Sequence, residues 1–459
     1  MSRLVVVSNR VALPGKHAGN QGGLATGLTA ALRERGGLWF GWDGRLSEQP
    51  ELTSVVARTG GIRYVTTTLT RLEFDQYYAG FANRALWPLC HHRLNLLHYS
   101  RAQHCGYLEV NARFARQLLP LLKPDDRVWI HDYHLMPLAA RLREAGAQQA
   151  IGFFLHVPFP PPELLRALPG QAELLRDLLA CDLIGLQTEA DMGAFRRSLE
   201  LFCPEIELVD TGARHASREI RIAAFPIGID VRQVARLAAS GRVSAHGRRL
   251  RESLSGRRLI IGVDRLDYSK GLPERFRAYG RLLEAAPELH RKVVLLQIAP
   301  LSRAEVPEYR QIRRDLNAIA GEIFGRFAQY DWLPLRYMTH GFARSTVMGF
   351  LSLAHVGLVT PLRDGMNLVA KEYIAAQPEK DPGVLVLSSL AGAARELPEA
   401  LIVNPYDVEG MAEALRTALG MPLAERQARW RACMQALSNN TINHWTDRFL
   451  QALESGTRG

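Results

Sequence analysis

The sequence predicts an α/β protein built from two parallel-sheet domains that face each other across a cleft. Short apolar runs of strand type alternate with helical segments along the whole chain, a pattern typical of helix-flanked parallel sheets. A basic stretch interrupts this alternation once, and the pattern then restarts. We therefore expect an N-terminal domain at 1–235, a basic linker at 236–257 and a C-terminal domain at 258–440. A last helix within 441–459 is expected to pack back on the N-terminal domain.

The composition is typical of a cytoplasmic protein. Hydrophobic residues make up 47% of the 459 residues, which is enough for large buried cores. No apolar run approaches the roughly 20 residues needed to cross a bilayer, and the apolar segment Leu4–Val7 is too short for a secretory signal. The five cysteines are scattered without a CxxC or Cys/His cluster, which argues against a disulfide framework or structural zinc.

The net charge of +11 favours anionic partners, such as nucleic acid, an acidic membrane surface or phosphorylated small molecules. Much of the excess lies between Arg232 and Arg258. Interleaved aromatic residues, which single-stranded nucleic acid would require, are missing there. We expect a solvated linker and neither nucleic acid nor a membrane as partner.

The N-terminal domain opens with a strand, a glycine-rich loop and a helix. The strand Leu4–Val7 leads to Arg10, and the loop contains Gly22 and Gly23 before apolar residues recur at helical spacing up to Leu32. The loop matches neither GxGxxG nor GxxxxGK, so neither the dinucleotide nor the P-loop fingerprint applies. Its glycines allow the backbone to approach a ligand closely.

The segment 38–108 is rich in aromatic residues, including Tyr78 and Trp87. Aromatic planes pack on the C–H faces of sugar rings, although for any single one of these residues an ordinary core or surface position is the favoured interpretation.

Two later strands end in polar residues, one before Asp132 and one before His156. Ligands bind at the carboxyl ends of strands in open α/β sheets. The two endings together therefore favour a site over isolated structural residues.

In the C-terminal domain, a strand at Leu259–Val263 precedes a loop that contains Arg265 and Lys270. Pro273 suits the first turn of the next helix. Two cations at a strand-to-helix junction could neutralise a diphosphate. Surface ion pairs with the neighbouring aspartates are the alternative.

The stretch Val359–Tyr373 predicts a strand, a turn and a helix that Asn367 caps. The N-terminus of such a helix attracts a phosphate group. Asp364 and Glu372 are acceptors suited to sugar hydroxyls, unless Asp364 only closes the turn and Glu372 is solvated.

Together these features suggest a sugar–phosphate site, and an enzyme that transfers a sugar from a nucleotide diphosphate would have to stabilise the departing diphosphate there. A departing diphosphate is stabilised by a metal on an Asp-x-Asp pair, or by cations and a helix dipole. No Asp-x-Asp occurs in the chain, so we expect the second route, with no metal and no cofactor.

Nine sequence segments in the same order carry a resemblance to a known family: SRLVVVSNR, GGLATGL, YYAGFANRALWP, WIHDYHLMPL, GFFLHVPFPPPE, DRLDYSKGLPERF, QIAPLSR, TPLRDGMNLVAKEY and VNPYD. The chain resembles the trehalose-6-phosphate synthase family, which is glycosyltransferase family 20. These are retaining enzymes of the GT-B fold, with two Rossmann-like domains. The segment 204–256 matches no motif of the family.

The resemblance implies transfer of glucose from UDP-glucose to glucose 6-phosphate, giving α,α-trehalose 6-phosphate and UDP. It implies front-face attack, in which the leaving diphosphate helps to take the acceptor proton and no metal takes part. The expected partners are a nucleotide-sugar donor and a sugar-phosphate acceptor, and a homo-oligomer is also expected. A separate trehalose-phosphate phosphatase would act on the product.

The resemblance also assigns roles to individual residues. The acceptor phosphate would be held by Arg10 and Arg303, in a pocket lined by Tyr78, Trp87 and Asp132. The donor loop would contain Gly22 and Gly23, the diphosphate would meet Arg265 and Lys270, and glucose hydroxyls would meet His156 and Asp364. The remaining contacts to phosphate, ribose and base would come from Phe342, Leu368, Val369, Ala370, Lys371 and Glu372.

Three alternatives stay open. A nucleic-acid-binding protein would use the basic stretch 232–258 and show salt-sensitive affinity. Another GT-B transferase or a pseudo-glycosyltransferase would keep the fold and change the substrates. A catalytically inactive homologue is disfavoured because all the site residues are present. The preference among UDP-, GDP- and ADP-glucose also stays open.

Overall fold

The computed structural model describes residues 3–11, 13, 27–29, 31–33, 36–56, 61–215, 218–302 and 307–456. The predicted site residues Gly22, Gly23 and Arg303 lie outside this set. The chain divides into two compact units, one formed by Met1–Ile227 with Asn443–Gly459 and the other by Gly228–Ile442. Within the described part of the chain, no helix is both long enough and apolar enough to cross a membrane.

The first unit contains a ten-stranded sheet. Its strands are β1 (Leu4–Arg10), β2 (Gly37–Leu46), β3 (Leu52–Val56), β4 (Ile62–Leu69), β5 (Arg127–His131), β6 (Ala150–Phe154), β7 (Leu183–Leu186), β8 (Glu207–Val209), β9 (Gly212–His215) and β10 (Arg218–Ala224). The order is β3-β4-β2-β1-β5-β6-β7-β10-β9-β8. The central pairs are parallel, whereas β3 with β4, β9 with β10 and β8 with β9 are antiparallel. Strands β1, β5 and β6 are therefore neighbours, and their carboxyl ends lie at one edge.

Before the chain enters the second unit, the first unit contains the helices α1 (Arg71–Glu73), α2 (Trp87–Cys90), α3 (Arg101–Leu118), α4 (Leu138–Glu144), α5 (Pro162–Leu165), α6 (Gln171–Leu178) and α7 (Glu189–Phe202). A π-helical segment, Phe74–Leu86, joins α1 to α2. Short 3₁₀ turns occur at Leu94–Leu96, Leu119–Leu121 and Tyr133–Leu135. Thr70 and Glu73 form a reciprocal capping box at the start of α1, which fixes where this aromatic-rich helical run begins.

The second unit contains a six-stranded sheet whose neighbouring strands are all parallel. Its strands are β11 (Arg258–Val263), β12 (Val293–Ile298), β13 (Leu335–Met338), β14 (Val356–Val359), β15 (Val384–Ser388) and β16 (Leu401–Val403), in the order β13-β12-β11-β14-β15-β16. Its helices are α8 (Val231–Val243), α9 (Ala245–Leu254), α10 (Leu272–Ala285), α11 (Pro307–Phe327), α12 (Arg344–Leu353), α13 (Leu368–Ala376), α14 (Val408–Gly420) and α15 (Leu423–Asn439), with 3₁₀ turns at Tyr268–Lys270, Pro287–Leu289 and Gly392–Arg395. The predicted fold class, α/β with two parallel-sheet domains, is confirmed.

The stretch 236–257, predicted as a basic linker, lies largely within helices α8 and α9. Helix α8 buries Val234, Ala238 and Gly241 on one face. A Cβ atom added to Gly241 would lie 2.0 Å from the backbone oxygen of Ser345 in α12. Helices α8 and α12 therefore touch through their backbones, and their contact depends on this glycine.

The last helix, α16 (Ile442–Gly456), belongs to the first unit. Its Phe449 ring lies against Gly152 and Gly185, where an added Cβ would come within 2.7 Å of a ring carbon at either position. Its Trp445 donates a hydrogen bond of 3.1 Å to the backbone oxygen of Phe225. The helix therefore covers β6 and β7 at two positions where the strands have no side chain.

Candidate functional site

The end of strand β1 places Arg10 beside an aromatic cluster. The guanidinium carbon of Arg10 lies 5.6 Å from the centre of the Trp42 ring, and the centres of the Tyr78 and Trp42 rings lie 5.4 Å apart. A Cβ at Gly44 would come within 2.4 Å of Arg10 Nη2, so a glycine there leaves room for the guanidinium group. The structure thus brings two predicted acceptor residues together around Trp42, which the sequence analysis did not select.

Trp87 contacts Tyr133, the residue that directly follows Asp132. The rings of Trp87 and Tyr133 lie 5.5 Å apart, and the Tyr133 hydroxyl donates a 2.9 Å hydrogen bond to Asn83. Trp87 itself is buried, with 5% of its surface exposed. Trp87 is therefore a packed side chain, and little of its ring is exposed for stacking on a sugar.

The backbone of Asp132 adopts an unusual conformation, with φ at 77° and ψ at 165°. Non-glycine residues rarely occupy this region, and such strain clusters at functional sites. The conformation is held by a 2.8 Å hydrogen bond from the Asp132 backbone N–H to Phe154. The Asp132 carboxylate in turn accepts a 3.3 Å hydrogen bond from the backbone N–H of His156. The ends of β5 and β6 are therefore tied through a predicted acceptor residue.

His156 also contacts a histidine that the sequence analysis did not select. Nε2 of His156 lies 3.1 Å from Nδ1 of His131, the last residue of β5. Burial lowers the pKa of His156 to about 3. Burial also lowers the pKa of His131 well below its ordinary value, and the neighbouring His156 lowers it further. Both rings are therefore neutral at physiological pH.

In the second unit, the predicted cation Lys270 and the predicted acceptor Asp364 form an ion pair. The Lys270 Nζ lies 2.5 Å from Asp364 Oδ2, and the Asn367 amide donates a 3.0 Å hydrogen bond to the same oxygen. The third predicted residue of this region, Arg265, lies exposed on the Lys270 loop. The turn after β14 and the loop after β11 thus meet at the carboxyl edge of two neighbouring strands.

A buried arginine holds these two loops in register. Arg275 is fully buried and donates hydrogen bonds to Asp264 at 2.5 Å, Gln297 at 2.9 Å and the Thr360 hydroxyl at 3.1 Å. Burial raises the pKa of Asp264, and the cations Arg275 and Lys270 oppose that rise. These buried hydrogen bonds hold the Lys270 loop and the turn after β14 together. No local pattern in the sequence indicates the role of Arg275.

The helix predicted after the turn begins as expected. Asn367 caps α13 with its side chain, which accepts a 3.3 Å hydrogen bond from the backbone N–H of Ala370. Its own backbone is left-handed, with φ at 74°, a conformation that asparagine tolerates better than most residues. Leu368 and Val369 form the partly exposed first turn, where backbone N–H groups precede any intrahelical acceptor. The turn therefore presents the positive end of a helix.

Glu372 is buried one turn further along α13. Arg344 donates a hydrogen bond of 2.8 Å to one of its carboxylate oxygens. Burial raises the pKa of Glu372, and the charge of Arg344 opposes that rise. The alternative of a solvated Glu372 is wrong, because only 7% of its surface is exposed. Arg344 is a further residue that the sequence analysis did not select.

The side chain of Lys371 points to a different partner from its neighbours. It is fully buried and forms an ion pair with Glu396, which also accepts a 2.6 Å hydrogen bond from Asn440. Burial lowers the pKa of Lys371, and Glu396 opposes that shift. The side chain of Lys371 therefore anchors α13 to the segment that carries Glu396.

The predicted base-binding residue Phe342 precedes α12. Its ring lies 4.8 Å from His340, 5.5 Å from Phe350 and 6.2 Å from His246. His246 belongs to α9, so the basic stretch contributes one ring to this aromatic group. Across the described ranges, no three His, Cys, Asp or Glu side chains converge as a metal-binding group.

Glycosyltransferase family 20 matches this chain over residues 3–455. The chain belongs to that family, and its fold is of the GT-B type.

Among its relatives is a trehalose-6-phosphate synthase of Klebsiella pneumoniae, 49% identical over 99% of this chain and 95% of the relative. A solved UDP-forming α,α-trehalose-phosphate synthase from Burkholderia xenovorans, in complex with glucose-6-phosphate, is 48% identical with a TM-score of 0.95, over 99% of this chain and 100% of that one. A solved structure from Escherichia coli bound with UDP-2-fluoro glucose is 47% identical with a TM-score of 0.91, over 98% and 99% of the two chains.

Proposed function

We propose that this chain transfers glucose from UDP-glucose to glucose 6-phosphate with retention, giving α,α-trehalose 6-phosphate and UDP. Membership of the family supports the reaction class, and the ligands of the two solved relatives support the acceptor and the donor. The observation that carries the proposal is the Lys270–Asp364 ion pair, 2.5 Å long, beside the start of α13. In this pair, Lys270 is a cation that can bind a diphosphate, and Asp364 is a carboxylate that can accept hydrogen bonds from sugar hydroxyls.

On the donor side, the proposal uses charge without a metal. Lys270 and Arg265 bind the diphosphate together with the N–H groups at the start of α13, where Leu368, Val369 and Ala370 lie. A helix N-terminus and ammonium or guanidinium groups stabilise phosphate charge in a fixed geometry. When the donor binds, the glucose hydroxyls replace part of the contact that Asp364 makes with Lys270, which frees Lys270 for the diphosphate.

The nucleoside end of the donor is assigned to the same unit. Glu372 accepts hydrogen bonds from the ribose hydroxyls, with Arg344 holding its other oxygen. Phe342 lies beside the base, and Lys371 contributes through its backbone while Glu396 holds its side chain. An ion pair that fixes a buried carboxylate pre-organises the carboxylate for a diol. Gly22 and Gly23, which belong to the first unit, are assigned to a donor loop.

On the acceptor side, Arg10 and Arg303 hold the phosphate of glucose 6-phosphate. A guanidinium group binds a phosphate monoester bidentately. Tyr78, Trp87 and Asp132 line the sugar pocket, and the strained Asp132 backbone is consistent with a pre-organised carboxylate. His156 donates a hydrogen bond to a hydroxyl of the donor glucose.

In the proposed reaction, the bond from glucose C1 to the diphosphate oxygen breaks on the same face on which the acceptor oxygen attacks. The new bond joins C1 to O1 of glucose 6-phosphate, and the proton of that hydroxyl passes to the leaving diphosphate. No side chain acts as nucleophile, so the enzyme contributes alignment and charge stabilisation. The reaction belongs in the cytoplasm, with a homo-oligomeric enzyme and a separate phosphatase acting on the product.

A product assay tests the proposal. Purified protein is incubated with UDP-, GDP- or ADP-glucose and with glucose 6-phosphate, glucose 1-phosphate or glucose as acceptor. We expect a disaccharide phosphate with both anomeric centres in the α configuration, formed with UDP-glucose and glucose 6-phosphate. A β linkage, or turnover only with acceptors that lack the 6-phosphate, would contradict the proposal. A gel shift with DNA and RNA tests the nucleic-acid alternative.

A further inference from the structure

Two histidines at the ends of neighbouring strands differ in what they can reach. His131 ends β5 and has 1% of its surface exposed, whereas His156, just beyond β6, is partly exposed. The hydrogen bond of 3.1 Å joins His131 Nδ1 to His156 Nε2. Only Nδ1 of His156 is therefore left to contact a ligand, and His131 can act only through its neighbour.

Because both rings are neutral, either histidine can be the donor of the hydrogen bond that joins them. Burial lowers the pKa of each histidine, so each ring carries a single proton near pH 7. In one arrangement the proton of His131 lies on Nδ1 and points at His156, whose own proton then lies on Nδ1. In the other, His156 donates from Nε2, and the proton of His131 moves to its own Nε2. Only the first makes His156 a donor to a ligand.

The surroundings of His131 distinguish the two arrangements. Its Nε2 is buried without a hydrogen-bond partner among the described residues, and the same holds for the indole nitrogen of Trp129. The two rings are neighbours, with centroids 4.6 Å apart. An indole N–H can only donate, so a proton on His131 Nε2 would leave two buried donors together without an acceptor. A bare Nε2 adds an acceptor instead, which is the less costly state.

We propose that His131 is a positioning residue that fixes the tautomer of His156. Its Nδ1–H donates to Nε2 of His156, which holds the proton of His156 on Nδ1 and makes that nitrogen a neutral donor to a sugar oxygen. The part that concerns the sugar rests on the proposed function, whereas the assignment of the two protons does not. A neutral donor binds a hydroxyl oxygen without adding a positive charge beside the departing diphosphate.

Two substitutions separate this role from simple packing. In His131→Asn the side-chain amide nitrogen lies near the position of Nδ1 and can still donate, whereas His131→Leu fills similar space and cannot. The protonation of each histidine nitrogen is measured by ¹⁵N nuclear magnetic resonance on histidine-labelled protein. The signals of His156 are identified by their loss in His156→Gln.

We expect the wild type and His131→Asn to show His156 protonated on Nδ1. His131→Leu is expected to shift His156 toward the Nε2–H tautomer that free histidine favours. In His131→Leu, His156 no longer donates to the sugar oxygen from Nδ1, so kcat/KM for transfer should fall about tenfold. In His131→Asn that hydrogen bond is kept, and kcat/KM should stay within about threefold of the wild type. Near-ultraviolet circular dichroism checks the fold of both variants.

A wild-type His156 protonated on Nε2 overturns the proposal, as does an unchanged tautomer in a folded His131→Leu. The wild-type spectrum alone decides the proton assignment if the leucine variant does not fold. If His156 is protonated on Nδ1 but the product assay yields no disaccharide phosphate, the proposed function fails and the tautomer assignment stands.

Discussion

Replacing Lys270 with alanine tests whether protein cations stabilise the leaving group. The Nζ is poised at a 2.5 Å contact with Asp364, with only 13% of the lysine side chain exposed, so solvent screens it less than a surface charge. For a separation of about 3 Å and an effective dielectric constant of about 20, a unit charge is worth about 5.5 kcal/mol. Only the roughly half charge that develops in the transition state affects kcat, which leaves about 2.7 kcal/mol or about 100-fold.

The assay is initial-rate kinetics at saturating glucose 6-phosphate with UDP-glucose varied. We expect kcat to fall about 100-fold for Lys270→Ala, with a smaller change in the donor KM. The Asn367 amide still donates to Asp364 at 3.0 Å, so the free energy of unfolding should drop by only about 1 kcal/mol. Lys380→Ala, which removes an exposed lysine of the same unit, serves as the matched control. An unchanged kcat in a folded Lys270→Ala would refute the reasoning.

Four further predictions concern the acceptor, the metal, pH and packing. Arg303→Ala should raise the KM for glucose 6-phosphate about 10- to 100-fold, because it removes a charged phosphate contact; a fall in donor affinity instead would contradict its assignment. Excess EDTA should leave the transfer rate unchanged, and a strict divalent-metal requirement would count against the metal-free route. The pKa of His156 is about 3 when folded and about 6.5 when unfolded, so the unfolded state binds more protons between these values and stability is lost as pH falls through that window. In urea titrations at pH 7 and 4.5, His156→Asn should lose less stability than the wild type, by about 1 kcal/mol per pH unit, and equal losses would argue against a buried neutral histidine. Gly241→Ala should lower the free energy of unfolding by at least about 2 kcal/mol, because its Cβ would lie 2.0 Å from Ser345 O; Gly321→Ala, where no atom lies within 4 Å, should raise it by up to about 1 kcal/mol, and similar values for the two would show that α8 and α12 can separate freely.

Local patterns in the sequence predict the strands and helices of the second unit that position Lys270 and Asp364. The strand predicted at Leu259–Val263 is β11 with one added residue, Pro273 lies in the first turn of α10, and Asn367 caps α13. Each of these features depends on residues a few positions apart. Propensity and capping rules act over that range, which is why they could be predicted.

The contacts that organise the site depend on residues far apart in the chain. His131 and His156 are 25 residues apart, and Arg344 and Glu372 are 28 apart. No local rule links such positions, because strand order and loop packing bring them together. The helices within the basic stretch are hidden for another reason. The buried face of α8, which includes Val234 and Ala238, is surrounded by arginines, so the sequence pattern of this segment resembles that of a solvated linker.

The return of α16 to the first unit has a consequence for how the protein is made. Residues 228–442 are contiguous and can fold as soon as the ribosome has released them. The sheet of the first unit, although translated earlier, keeps Gly152 and Gly185 uncovered until Phe449 emerges. The first unit therefore depends on a helix that is translated after the whole of the second unit. A nascent chain stalled before residue 443 should bind chaperones through that bare strand surface, and one released at residue 456 should not.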